Sequence, residues 1–324
     1  MTWLTTTWAE ARRAPVLALL WAAAAALVIY VFIGGGYLIA VLHFAAIYVV
    51  FVTGLNIFMG FAGQVSFGHN AFAAISGYTS AVLTATHGWE PLPAAALGIL
   101  GALIAALIVG YPTLRLRGHY LAMATLAIGL IVYEVAVQWQ SVTQGYMGIS
   151  GIPPLSIGRF EVTSDRAILI FLIVVAALGV AAAAGIRHSR LGRAFVAIAG
   201  SEDAARALGI DVARYKLAAF LISAFYAAVA GSLFVHAVGF VSPEVYGLHM
   251  VVLAFTMLYV GGIGTVAGAA LGALVIGILP ETVRRFSEYQ DLAYGALLIL
   301  ILIYAPGGLA SLSRLSTRRK KEDA

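Results

Sequence analysis

The chain has no cysteine in 324 residues, and only 10% of it is Asp, Glu, Lys or Arg. The first absence removes disulfides, thiolate metal sites and cysteine nucleophiles together. The second removes a water-soluble globule. An ordinary soluble domain carries about 25% charged residues, and 14 acidic plus 19 basic side chains cannot cover a body of this size in water. Lysine is scarcer still: Lys216, Lys320 and Lys321 are the whole set, and none follows a glycine, so the Gly-Lys-Ser/Thr loop that cradles nucleotide phosphates is missing. The seven histidines form no His-Glu-x-x-His pair, and there is no Gly-x-Ser-x-Gly elbow. Gly262-Ile-Gly264-Thr-Val-Ala267 matches a loose dinucleotide fingerprint, but it stands inside apolar sequence rather than after a strand. The net charge of +5 falls in short runs between apolar stretches, not in a stripe that tracks phosphates, so nucleic acid is not a partner.

What is abundant is apolar sequence, at 62% of the chain. A bilayer core about 30 Å thick takes about 20 apolar residues in a helix. Pro15–Ile33, Leu38–Met59, Phe67–Thr86, Leu92–Gly110, Tyr120–Trp139, Ala167–Ile186 and Leu217–Phe240 meet that length. Leu248–Val260, Val266–Leu279 and Leu292–Tyr304 are shorter and broken by glycine. Pro15–Ile33 exceeds the apolar core of a signal peptide and is expected to be a retained first helix. The fold class that follows is all-α: a polytopic membrane helical bundle of about ten transmembrane segments, some glycine-broken, forming one transmembrane domain over 1–324.

The basic residues assign sides. With the N-terminus inside, 15 of the 19 Lys and Arg fall on the cytoplasmic side: Arg12, Arg13, Arg115 and Arg117, the six from Arg187 to Lys216 inclusive, and the five of the tail from Arg314 to Lys321. Arg159, Arg166, Arg284 and Arg285 fall outside. The asymmetry predicts N-in, C-in topology. It leaves an outer loop at 140–165, rich in Gly, Pro and Ser, and an inner loop at 187–216.

Three local patterns stand out. Gly60–Asn70 sets Gln64, Ser66, His69 and Asn70 among glycines between two spans. Irregular polar backbone at that depth must face protein or water, so these four either line a translocation path or form an interhelical network. His43, Asn56, Glu134 and His236 also lie within or near the ends of spans, where polar groups are functional candidates. Gly264, Gly268 and Gly272 recur every four residues and are expected on one helix face in close contact with a neighbour. Ser201–Gly209 reads as a short capped helix, with Ser201 at the N-cap, Glu202 and Asp203 in the first turn, and Gly209 at the stop. Ala204, Ala205 and Leu208 make its apolar face, suited to a groove on a soluble partner. Glu202 and Arg206, four apart, are placed to pair on the exposed flank.

Taken together, several segments resemble the permease subunits of branched-chain amino acid ABC importers, of the LivM type, from about Leu38 to Ala310. The family's Gly-x-Ala-Gly-Gln-x-Ser-x-Gly-His segment is similar to Gly60–His69, and its Leu-Arg-x-x-Gly-x-Tyr stretch to Leu114–Ala127. Its outer-loop Gly-Ile-Pro element resembles Gly148–Pro153. Its Ser-Arg-x-Gly-Arg-Ala run and Ala-Ala-x-x-Leu-Gly loop resemble Ser189–Ala194 and Ala204–Gly209. The chain departs from that pattern at Ala199, Gly200 and Ser201, and at Gln144 and Met147. The resemblance implies a non-catalytic subunit of a bacterial cytoplasmic (inner) membrane importer that binds no cofactor itself. Its implied partners are a LivH-type permease subunit, two ATPase subunits carrying ATP and Mg, and an extracytoplasmic substrate-binding protein on the outer loops. It also implies that the Ser201–Gly209 helix couples the ATPases to alternating access. Urea or short-chain amide permeases are a related alternative. A stand-alone secondary transporter is an alternative of another class, for which no mid-span carboxylate is found.

Overall fold

A computed structural model describes residues 37–157, 160, 161, 164–282, 295, 299 and 308. The expected spans Pro15–Ile33 and Leu292–Tyr304, the terminal basic clusters, and Arg159, Arg284 and Arg285 lie outside the described residues. The other eight expected spans are all helices. In chain order the helices are α1 (Tyr37–Asn56, continued by a wider turn at Ile57–Phe61), α2 (His69–Ala81, continued likewise to Thr86), α3 (Pro91–Thr113) and α4 (His119–Gln138). They continue with α5 (Gln140–Thr143), α6 (Asp165–His188), α7 (Arg190–Gly200), α8 (Glu202–Ala207), α9 (Val212–Val238), α10 (Leu248–Gly261) and α11 (Val266–Thr282). Six helical stretches are long and apolar enough to cross a membrane, and α11 is shorter.

Polar content sorts the helices into inner and outer positions. The stretch through α1 is 72% buried and α9 is 67% buried, whereas α3 and α6 are 28% and 22% buried. Thr53 and Asn56 on α1, and Ser223, Ser232 and His236 on α9, would each be costly against lipid, and all five are buried. α9 packs on α1, α2 and α3, while α1 also packs on α6 and α11. Helix α3 buries a strip of Ala94, Gly98, Ala102, Ala106 and Gly110. That four-residue repeat of small side chains lets backbones approach: a Cβ on Gly98 would strike the Ser76 carbonyl of α2, and one on Gly110 the Phe220 ring of α9.

Short strands form in the 140–165 segment and after α9. Ile149–Ser150 (β1) pairs antiparallel with Phe240–Val241 (β4), and Ser156–Ile157 (β2) with Phe160–Glu161 (β3). His236 reinforces the link: one ring nitrogen meets Ser80 Oγ at 2.7 Å and the other the Pro153 carbonyl at 2.8 Å. A carbonyl only accepts, so Nδ1 carries the proton and Nε2 accepts from the serine. Among its described residues, the expected outer loop is held to α9 and α2 by these contacts.

The inner loop is more helical than expected. Arg187 and His188 finish α6, Arg190–Gly200 form α7, and Val212–Lys216 are already the first turn of α9. Ser189 caps α7 by accepting from the Gly192 amide, and Ser201 caps α8 by accepting from the Ala204 amide. Gly209, at φ +82°, then takes the left-handed conformation that ends the turn.

Candidate functional site

Two breaks in the bundle meet beside the inner loop. The first, between α1 and α2, turns at Gly63 with φ +68°. The second, between α10 and α11, turns at Gly262 and Gly264 with φ +117° and +79°. Gly264 therefore lies in the turn and not on α11, which corrects the expectation that Gly264, Gly268 and Gly272 share one helix face. Glycines every four residues read as a face only where the chain is helical, and Gly262–Thr265 is not. Gly268 and Gly272 do make the close contact: a Cβ on Gly272 would strike the Met257 carbonyl of α10, and one on Gly268 the Gly261 carbonyl.

Asn56 joins the breaks. Its Nδ2 donates to the Thr265 carbonyl at 3.0 Å, and its Oδ1 accepts from the Gly264 amide at 2.8 Å. One side-chain amide thus satisfies two backbone groups that lipid could not. Gly60 has no room for a Cβ between Asn56 and Gly264. Thr125 of α4 holds the other side of the first break, accepting from the Phe67 amide at 3.1 Å.

The four polar residues of the first break are all buried but do not converge. Ser66 Oγ lies 2.9 Å from His69 Nδ1. The His69 ring sits among Phe58, Phe72 and Phe220, and its Nε2 has no partner among the described residues. Asn70 donates to the Tyr246 carbonyl at 2.7 Å. Gln64 turns the other way, donating to Ala62 O and to Glu202 Oε1, each at 3.2 Å.

Glu202 is the junction. Its Oε1 also accepts from Lys216 Nζ at 2.9 Å, and Arg117 Nε stands 3.5 Å from its Oε2. The Lys216 side chain is only 3% exposed. Arg206 pairs instead with Asp203, at 2.9 Å. The expected Glu202–Arg206 pair is therefore replaced: Glu202 faces inward to Lys216, leaving Asp203 to hold Arg206. The expected apolar face is corrected as well. Ala205 is buried against Ile198 and Val212 in a small core of the inner segment, so it is unavailable to a partner. Ala204 and Leu208 are exposed, Leu208 at 80%. The departure from the family pattern has a local reason: Ser201 caps α8, and a Cβ on Gly63 would meet Ala199 at 2.9 Å.

Sequence reasoning counted Lys216 and Arg117 only as topology charges and missed both as partners of Glu202. The signal for Lys216 was its place in an apolar helix start, four residues from Val212 and Phe220 on either side. Among the described residues no group of three His, Cys, Asp or Glu is arranged to hold a metal.

Broken apolar helices meeting at buried polar contacts, with a short capped helix attached to them, make a multi-pass helical membrane bundle. The comparisons specify it. The family described as branched-chain amino acid transport system / permease component matches residues 37–303. The chain is 34% identical over 304 residues to the high-affinity branched-chain amino acid transport system permease protein LivM of Salmonella typhimurium, covering 86% of this chain and 71% of that one. It is 34% identical to Escherichia coli K12 LivM over 300 residues, covering 85% and 70% of the two chains. It is 30% identical to LivH of the same strain over 288 residues, covering 81% and 90%. The chain belongs to the permease-component family of branched-chain amino acid transport systems.

Proposed function

We propose that this chain is the LivM-like permease subunit of an ATP-driven importer and carries branched-chain amino acids across the cytoplasmic membrane. It pairs with a LivH-like subunit, receives substrate from an extracytoplasmic binding protein docked on the 140–165 cap, and is driven by two ATPase subunits that hold ATP and Mg. Its termini and the 187–216 segment face the cytoplasm. The observation that carries the reading is the Gln64–Glu202 hydrogen bond, which attaches α8 to the first break across 138 residues of sequence. A push on α8 is thereby delivered to the segment holding Gln64, Ser66, His69 and Asn70, the part of the translocation path that changes access. Through Asn56 and Thr125 the same displacement reaches the second break and α4.

Ala204 and Leu208, not Ala205, are the side chains that meet the ATPase. The test is uptake of leucine, isoleucine and valine into proteoliposomes holding the full complex, with binding protein added. Uptake is expected to need both ATP and binding protein. Leu208→Asp should leave the permease pair assembled while abolishing ATPase association and uptake. Uptake that proceeds without ATP, or that survives Leu208→Asp unchanged, overturns the reading.

A further inference from the structure

A cavity of about 330 Å³ opens at the inner end between α3 and α9. Its floor is apolar and belongs to the spans: Gly110, Leu114 and Leu217. Its upper wall is basic, formed by Arg115, Arg117, Arg206, Arg214 and Lys216. Glu202, Asp203 and Asp211 offset three of those five charges, leaving an excess of two. Arg115 has no carboxylate partner among the described residues; it lies 4.9 Å above the Tyr111 ring. Arg214 pairs with Asp211, but its side chain is 88% exposed, and a solvent-exposed pair of this kind is weak enough to exchange for a phosphate.

The surroundings place this cavity at the membrane interface. Tyr111, which lines it, and Tyr120, in the first turn of α4, are both exposed, as expected for aromatic side chains at headgroup level. Below them Ile104, Leu107 and Ile108 of α3 present an exposed apolar ridge. A ligand that fills the site must therefore carry a negative head and an apolar tail along that ridge. A basic pocket between helices on the cytoplasmic side suits an anionic lipid headgroup.

We propose that the α3–α9 cavity is a binding site for one anionic phospholipid, its phosphate held by Arg115 and Arg214 and its acyl chains lying along α3. The site lies beside α8, so a bound lipid would brace the Arg117–Glu202–Lys216 junction from the membrane side. The proposal rests on the cytoplasmic orientation of the 187–216 segment proposed above but not on transport, because lipid retention is measured without turnover.

The test uses the complex in nanodiscs of phosphatidylcholine with added phosphatidylglycerol, followed by release and native mass spectrometry of retained lipid. The unaltered complex should keep phosphatidylglycerol in preference to phosphatidylcholine. Arg115→Gln with Arg214→Gln should weaken retention about tenfold or more, since each interfacial cation contributes appreciably to anionic-lipid attraction. Arg190→Gln with Arg193→Gln removes equal charge from α7, outside the cavity, and should leave retention unchanged. Leu114→Trp, which fills the floor and keeps the cations, should also expel the lipid. Equal retention in the cavity and unaltered forms overturns the proposal, as does equal loss in the α7 control. Displacement by soluble glycerol phosphate would make it a free phosphate site, and retention by the permease pair alone but not by the full complex would make it a protein contact. Either result also overturns it.

Discussion

Glu202→Gln isolates one charge at the junction between the inner helix and the broken spans. The glutamine keeps an oxygen to accept from Gln64, so that bond survives. Lys216 does not keep its carboxylate. The Lys216 side chain is 3% exposed, and its ammonium lies 2.9 Å from Glu202 Oε1. A unit pair near 4 Å in an effective dielectric of about 20 interacts by about 4 kcal/mol. Desolvation of Lys216 offsets part of this, and Glu202 keeps 18% of its side-chain exposure, so the net loss on Glu202→Gln should be about 2–3 kcal/mol. Replacing a whole buried pair by apolar groups is often close to neutral. Lys216→Met combined with Glu202→Gln should therefore recover at least half of the loss. The assay is a double-mutant cycle on equilibrium unfolding of the purified subunit pair in mixed micelles. The substrate-to-ATP ratio of the reconstituted complex is read in parallel. Glu202→Gln should lower that ratio, because the inner segment then loosens its hold on the first break. A single variant within about 0.5 kcal/mol of the unaltered protein, or a double variant worse than the two singles added, would refute the argument.

Two further outcomes follow from the geometry. Gly272→Ala places a methyl against the Met257 carbonyl of α10; the two helices must part, at about 1–3 kcal/mol, with lower thermal stability and complex yield, and an unchanged melting curve would leave the contact without weight. Single cysteines at Ser150 and Ser201, both exposed, should divide by side in right-side-out vesicles: an impermeant maleimide labels Ser150→Cys only, and labelling of Ser201→Cys defeats the N-in, C-in topology.

The spans were legible because lipid is a simple solvent. Twenty apolar residues without charge have one stable form there; the eight expected spans within the described residues fall on helices, and six of these are long and apolar enough to cross a membrane. The first break was legible because Gly60, Gly63 and Gly68 surround polar groups that no lipid-facing helix tolerates. Helix α8 was legible from its ends, since Ser201 and Gly209 are strong local signals. Its orientation was not. Six residues rich in alanine carry almost no directional pattern, and what turns Ala205 inward is Ile198 and Val212 on the two flanking helices. The α3 strip escaped for a similar reason: in an alanine-rich helix the packed side looks like the others until a partner selects it. Gly264 misled because spacing alone does not say whether a glycine sits in a helix or in the turn before it.

The long-range partners explain why the inner segment and the breaks act as one body. Gln64 belongs to a turn that cannot satisfy its own polar groups, and Glu202 belongs to a six-residue helix too short to stand alone. Each is completed by the other. Lys216 supplies the charge that makes burying Glu202 tolerable, and it can do so because α9 begins five residues earlier than apolar content alone indicates. A break in a membrane helix costs backbone hydrogen bonds. Here the side-chain contacts that brace the two breaks run to Glu202, Thr125, Gly264 and Thr265. The same contacts that make the break stable thus connect it to the inner helix, to α4 and to the second break. Helix α8 is thus tied to the first break through Gln64, and the first break to the second through Asn56; under the function proposed above, that chain of contacts is the route by which a push on α8 would reach both breaks.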